Sequence, residues 1–301
     1  MTATTAPTTT APAPRGGQEL HTKSDRGAKI RMYLGLAALV IWGLAPFYWM
    51  IVTAFRDVGF TFDTTPWPTH VTLDNFKTAF STERGNHFGA ALVHSIIIGI
   101  VTTVVAMLVG VFASYALARL KFPGKYVVLG VILGSSMFPG VALVSPLFQL
   151  FSDIGWLSGT NYQALIIPNI SFALPLTIYT LTAFLAEMPW ELEESARIDG
   201  CTPGQAFRKI MLPLAAPGLF TTAILAFIAS WNEYLLAAQF STPATQTVTV
   251  AIAQFTGAQP HQEPYTAVMA AGTIVTVPLI IMVLFFQRAI VSGLTAGGVK
   301  G

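Results

Sequence analysis

Glu191, Glu193 and Glu194 stand within four residues of one another and are followed by Arg197, Asp199 and Gly200, making the densest charged cluster in the chain. Acids grouped this way suit charge pairing with a basic partner surface, or they simply face water as a solvated linker. A second polar feature, Asn232-Glu233, interrupts an apolar run, where an ionisable group costs several kcal/mol unless it faces a bundle interior or water. Three roles compete for Glu233: recognition of a ligand hydroxyl, an interhelical bond, and placement at a membrane interface. Cys201 is the single cysteine, so no intrachain disulfide can form, and it reads as a small packed residue. No metal site is assigned. The sequence contains no G-x-x-x-x-G-K-[ST] phosphate loop, so any ATP chemistry belongs to another chain.

The charged cluster lies in a polar segment, 188–212, that parses as two short helices. Pro189 suits a first helical position, the glutamates fall at the positive end of that helix, and Gly200 is a natural stop. Thr202, Pro203 and Gln205 then supply an N-cap, a first-turn proline and the third position of a capping box. Arg208 and Lys209 fall in the last turns of the second helix, where they complement its negative end. Trp190, Leu192, Ile198, Phe207, Ile210 and Met211 provide apolar contacts that a plain linker does not need. The expectation is an ordered helix-turn-helix.

The elements around this segment are membrane spans. Only 10% of the 301 residues are charged and 53% are hydrophobic, with a mean hydropathy of +0.62. A soluble surface of this size needs far more charge, so lipid must do the covering. The net charge of +2 is too small to indicate a nucleic-acid partner. Six stretches reach the length of about 20 apolar residues that a crossing needs: 32–55, 90–118, 126–150, 163–187, 213–238 and 267–290. Pro139, Gly140 and Pro146 interrupt the third and Pro168 and Pro175 the fourth, predicting bends or breaks around a shaped interior. If the fifth span rises continuously from about Ala215, Glu233 lies some 25 to 30 Å along it, at ~1.5 Å per residue.

Residues 1–29 form a Thr/Ala/Pro-rich tail too polar to order itself, and 30–301 form the membrane domain, with 291–301 as its C-terminal tail. The first span is too long for a signal-peptide core and reads as a retained anchor. Of the 16 Lys and Arg residues, all but Arg56, Lys77 and Arg84 fall on one side if the N-terminus is cytoplasmic, which places both termini inside.

Glu194-Ser195-Ala196-Arg197-Ile198-Asp199-Gly200, followed by Phe207, Ile210, Leu212-Pro213 and Pro217, resembles the EAA loop of ABC-importer permease subunits, with Ser195 in place of the usual alanine. Met137-Phe138-Pro139, Pro146-Leu147, the 189–196 run, Trp231-Asn232-Glu233-Tyr234 and the Gly293–Gly301 ending resemble the carbohydrate-importing, MalG-type branch. The resemblance covers residues 30–301. It implies an all-α integral membrane protein of the MetI-like type I fold, with six spans and both termini cytoplasmic.

The resemblance further implies a permease subunit that forms half of a path for a disaccharide, trehalose above all. Its implied partners are a second, non-identical permease subunit, two copies of an ATPase subunit holding ATP and Mg, an extracytoplasmic sugar-binding lipoprotein, and membrane lipid. This chain itself would bind no cofactor and catalyse nothing alone. Glu194 becomes the principal acidic contact to the ATPase, in a coupling surface of Glu191, Glu193, Glu194, Ser195, Ala196, Arg197, Asp199, Gly200 and Phe207. Thr295, Gly297, Gly298 and Lys300 in the tail would reach the same partner. Gln149, Asn169, Trp231, Asn232, Glu233 and Tyr234 are candidates for the path or gate. Gln259, His261, Gln262 and Glu263 are candidates for the binding-protein contact. A stand-alone secondary transporter is the competing class, but it calls for internal repeats or mid-membrane charges that are not evident. A non-transporting scaffold and a permease for another solute class are the remaining alternatives.

Overall fold

The computed structural model describes residues 26–82, 86–255 and 264–296, with side chains of the last helix described through Phe286. The chain divides into two units, Met1–Tyr48 and Trp49–Gly301. Helix α1 spans Arg26–Ala54 and begins ahead of the apolar run at Met32, inside the stretch expected to be an unordered tail. Arg26, Ala28 and Lys29 are good helix formers and simply extend the turn. From Arg26 to Trp49 its side chains are exposed on all sides. A helix that is apolar all round suits a membrane span.

In the second unit a short helix, α2 (Asp74–Phe80), precedes α3 (Phe88–Arg119). Next come α4 (Lys125–Ser136), α5 (Gly140–Asp153) and α6 (Gln163–Glu187). The polar segment holds α7 (Glu191–Ile198), α8 (Pro203–Ala206), a π-turn at Phe207–Met211 and α9 (Leu212–Leu214). Helices α10 (Ala216–Trp231), α11 (Leu235–Phe240), α12 (Val248–Ala253) and α13 (Tyr265–Ala296) complete it. Among the described residues no strand forms beyond an isolated bridge between Arg56 and Val71.

Four helices, α1, α3, α6 and α13, are long and apolar enough to cross a membrane by themselves, and two bent pairs bring the number to six if each counts as a span. Helices α4 and α5 meet at 86° and the 203–214 run meets α10 at 72°. The break after Ser136 is the one Pro139 predicts, since proline cannot donate to the ladder and favours an extended residue before it. Pro168 and Pro175 do not break α6, contrary to expectation. Both are buried in its packed length, and side-chain back-bonds from Asn169 to the Leu165 carbonyl (2.8 Å) and from Ser171 to the Ile167 carbonyl (3.1 Å) run along the same stretch. The 213–238 stretch is not one helix either: α10 stops at Trp231 and α11 restarts at Leu235.

Helices α3 and α6 share the most extensive seam, with α10 packed on both and on α13. Gly110 explains how closely the first two approach: a Cβ there would stand 2.5 Å from Thr177 Cγ2. Without a hydrophobic drive between helices in lipid, such small-residue contacts supply dispersion energy by letting backbones close up.

The loop 55–73 is folded rather than merely exposed. Arg56 is fully buried, its two terminal nitrogens donating to the carbonyls of Asp63 and Thr65, and its guanidinium lies 4.8 Å over the Trp49 ring. Asn75 reaches back to the Ala54 and Arg56 carbonyls at 2.8 and 2.6 Å. Asp63 accepts from the Thr65 N–H and hydroxyl, and these bonds hold its carboxyl below the usual carboxylate range.

Candidate functional site

The polar segment folds as the expected helix-turn-helix. Helix α7 starts at Glu191 after a Trp190 cap, so Pro189 lies outside it rather than in its first turn. Gly200 adopts φ +87°, the left-handed region that ends the helix, and nothing lies within 4 Å of where its Cβ would be. The capping box is complete: the Gln205 N–H donates to Thr202 Oγ1 at 3.3 Å and the Thr202 N–H to Gln205 Oε1 at 2.9 Å. Arg208 and Lys209 sit in the π-turn, mid-run, because the helix continues through Leu214 instead of ending near them.

The expected coupling residues separate into two faces. Glu191, Glu194, Ser195, Arg197, Asp199 and Gly200 point outward, and Ile198 beside them is 85% exposed. Glu193, Ala196 and Phe207 point inward and are buried. Glu193 Oε1 accepts from the Tyr115 hydroxyl at 2.9 Å, while the Phe207 ring packs 4.6 Å from the Tyr115 ring and joins Leu185, Met211 and Ala215 in a small core. Arg119, at the same end of α3, donates to the Met188 carbonyl at 2.9 Å and lies over Trp190. Neither Tyr115 nor Arg119 was marked by sequence; Arg119 was visible only as a basic residue ending a span. Cys201 is partly buried and reduced.

A second constellation lies where α4 gives way to α5 and α10 to α11. A cavity of about 330 Å³ is lined by Ser136, Phe138, Asn169, Phe172, Ser230 and Glu233, among others. It unites two expected path residues, Asn169 and Glu233, that are far apart in sequence. Of the rest, Trp231 is buried against Phe227 and Val248 in a separate core, and Gln149, Asn232 and Tyr234 are exposed and do not line this cavity. Ser136, Ser230 and Phe172 were missed. The signal that existed was the serine just before the Met137-Phe138-Pro139 break and the one just before Trp231.

Glu233 does not ride partway up a continuous helix, and the count of 25 to 30 Å along one falls with that helix. Its two carboxylate oxygens accept the N–H groups of Leu236 (2.7 Å) and Ala237 (2.9 Å), capping α11. This role was not among the three weighed. The new helix starts at Leu235 with its first free N–H groups taken up by the Glu233 carboxylate. Helix α12 secures the break: Thr249 Oγ1 donates to the Glu233 carbonyl at 2.8 Å, and the Val248 N–H donates to Ser95 Oγ at 2.8 Å. Thus Phe240, Thr245, Val248, Val250 and Ala251, inside the stretch expected as an outer loop, are buried. Gln259, His261, Gln262, Glu263, Gly297, Gly298 and Lys300 lie outside the described residues, and of Thr295 only the backbone, at the end of α13, is described.

Residues 106–296 match the family described as "Binding-protein-dependent transport system inner membrane component". The trehalose transport system permease protein SugB of Mycobacterium tuberculosis is 46% identical over 278 residues, covering 91% of this chain and 100% of the relative. The trehalose/maltose transport system permease protein MalG of Thermococcus litoralis is 41% identical over 276 residues, covering 91% and 97%. The diacetylchitobiose uptake system permease protein DasC of Streptomyces coelicolor is 36% identical over 279 residues, covering 90% and 98%. Among solved structures, a bacterial ABC transporter that imports the acidic polysaccharide alginate superimposes with a TM-score of 0.70 at 20% identity, over 89% of this chain and 98% of that one. With its helical fold, its polar two-helix segment and these matches together, the chain belongs to the binding-protein-dependent transport inner-membrane components, the multi-pass, non-catalytic permease subunits of ABC transporters.

Proposed function

We propose that this chain is one of two non-identical permease subunits of an ATP-driven importer for a disaccharide, and that the disaccharide is trehalose. The observation that carries the cargo is the 46% identity to a trehalose permease along the whole of that relative. The chain crosses the membrane six times, with the bent α4–α5 pair as one crossing, α10 together with the 203–214 run that meets it at 72° as another, and both termini cytoplasmic. The charge asymmetry of its Lys and Arg residues supports that orientation.

In this reading the outward face of α7 seats in a cytoplasmic ATPase subunit. Glu194 makes the main charged contact there, Glu191, Ser195, Arg197 and Asp199 surround it, and Gly200 gives the turn. Two ATPase copies hold ATP and Mg, and their closure displaces α7–α9 as a unit. The C-terminal residues Thr295 to Lys300 add a second contact to the same partner. On the other side of the membrane a sugar-binding lipoprotein docks on the 56–89 segment and on Gln259 to Glu263.

The cavity around Asn169 and Glu233 is this subunit's part of the path. Its volume falls at the small end of ligand pockets, and the combination of Phe138 and Phe172 faces with Ser, Asn and Glu oxygens suits a polyhydroxylated ring. The second permease closes the open side.

The test is ATPase activity of the complete complex in lipid vesicles, challenged with its binding protein loaded from a panel of sugars. Trehalose is expected to stimulate most strongly. Stimulation only by an unrelated solute class sinks the cargo assignment, and sugar uptake by this chain alone on an ion gradient sinks the importer reading.

A further inference from the structure

Tyr115 touches both helices of the coupling segment. Its hydroxyl donates to Glu193 on α7 and its ring packs on Phe207 at the end of α8. One turn along α3, Arg119 holds the Met188 carbonyl just ahead of α7, and its guanidinium lies 5.2 Å from the Trp190 ring. Trp190 Nε1 in turn donates to Glu194 Oε1 at 3.1 Å. The outward acid is therefore linked through Trp190 and Arg119 to the same end of α3 that grips Glu193 from inside.

These contacts are polar where a plain tether would be apolar. Glu193 is 7% exposed and Arg119 6%, and burying charges is expensive enough that well-packed apolar residues usually hold two helices more stably. Glu193 Oε2 and Arg119 Nε are shielded from solvent and make no hydrogen bond in this arrangement. What a directional polar contact supplies is one fixed register between two elements. From α3 that register continues across the Gly110–Thr177 approach to α6, which carries Asn169, and to α10, which carries Ser230.

We propose that Tyr115, Arg119 and Glu193 form a strut that transmits displacement of α7 into α3 and from there to the cavity. Tyr115 and Arg119 are positioning residues for coupling, acting through Glu193 and Trp190. The inference rests on α7 being the ATPase contact.

The experiment uses the complete complex in vesicles and reads sugar transported per ATP hydrolysed, alongside basal ATPase activity. Tyr115→Phe keeps the ring packing and removes the bond. It is expected to leave assembly and basal hydrolysis unchanged and to lower sugar per ATP on the order of tenfold, the effect of losing one hydrogen bond to a charged group. Glu193→Gln retains an acceptor for the hydroxyl and should keep the ratio within about twofold, whereas Glu193→Leu should match Tyr115→Phe. The Tyr115→Phe/Glu193→Leu double variant should be no worse than either single change, because both remove the same interaction. A Tyr115→Phe complex with an unaltered ratio overturns the strut. So does failure of both Tyr115→Phe and Glu193→Leu to assemble, which makes the contact structural only. Glu194→Ala separates the levels: if ATPase attachment and uptake survive it, the coupling reading itself fails; if they are lost while Tyr115→Phe behaves normally, only the strut fails.

Discussion

Replacing Glu233 with alanine is expected to open the start of α11 without unfolding the bundle. The carboxylate accepts two backbone N–H groups, from Leu236 and Ala237, that the first turn of a helix cannot satisfy internally. A hydrogen bond to a charged group contributes about 1.5–3 kcal/mol and loss of a cap costs about 0.5–2 kcal/mol. Both bonds share one partly exposed carboxylate, so the joint loss is about 2–3 kcal/mol rather than the sum of two full charged bonds. Leu236, Ala237 and Phe240 are buried in a core with Phe151 and Leu165, so that loss is confined to a local opening. At about 1.4 kcal/mol per decade, amide exchange over 235–240 should accelerate roughly 30- to 150-fold while α3 and α6 stay unchanged. Glu233→Gln keeps one acceptor oxygen and should accelerate exchange by roughly an order of magnitude less. Hydrogen exchange read by mass spectrometry on the complex in lipid nanodiscs measures both. If Glu233→Ala leaves exchange of these amides within about threefold of the unaltered protein, the capping argument is wrong. Loss of transport in that same variant would then assign the carboxylate to the cargo.

Gly110→Ala should lower the melting temperature of the complex, because the added Cβ meets Thr177 Cγ2 at 2.5 Å; overpacking of this kind costs about 1–3 kcal/mol. Thr177→Ser removes that methyl and should restore most of the loss, and no recovery in the double variant would refute the close-approach explanation. Gly200→Val places a β-branched residue at φ +87° and should cost about 1–2 kcal/mol, seen as faster exchange over 199–206, with Gly200→Asn closer to neutral. In the 55–73 loop the Asp63 carboxyl lies below its ordinary range in the folded state, so its contribution is present above the unfolded value and is lost as pH falls through the lowered one. Acid titration followed by the Trp67 fluorescence difference against Trp67→Phe should show that transition, and Asp63→Asn should abolish it.

Local features were legible from the residues alone. The apolar run 163–187 coincides with α6 and 90–118 with all but the ends of α3, because in lipid a helix must satisfy its own backbone and its length is set by the apolar stretch. The Thr202–Gln205 box and the Gly200 stop were also legible, since capping depends on residues three or four apart. Proline was ambiguous for a reason the two cases make plain. Pro139 stands with a glycine after it and no buried neighbours, and the chain turns; Pro168 and Pro175 stand inside a packed helix, and the helix continues unbroken.

The cavity was not legible, because Ser136, Asn169, Ser230 and Glu233 come from different elements and converge only when α4, α6 and α10 pack. Nor was the division of the glutamates. Helical geometry dictates that Glu193 and Glu194, about 100° apart around α7, face different directions. It does not say which direction is inward. That depended on where Tyr115 of α3 arrived, since a buried carboxylate is tolerable only beside a donor; so the residues and their spacing determined that a polar two-helix segment exists and what chemistry it carries, and long-range packing assigned Glu193 to the bundle and left Glu194 to the surface.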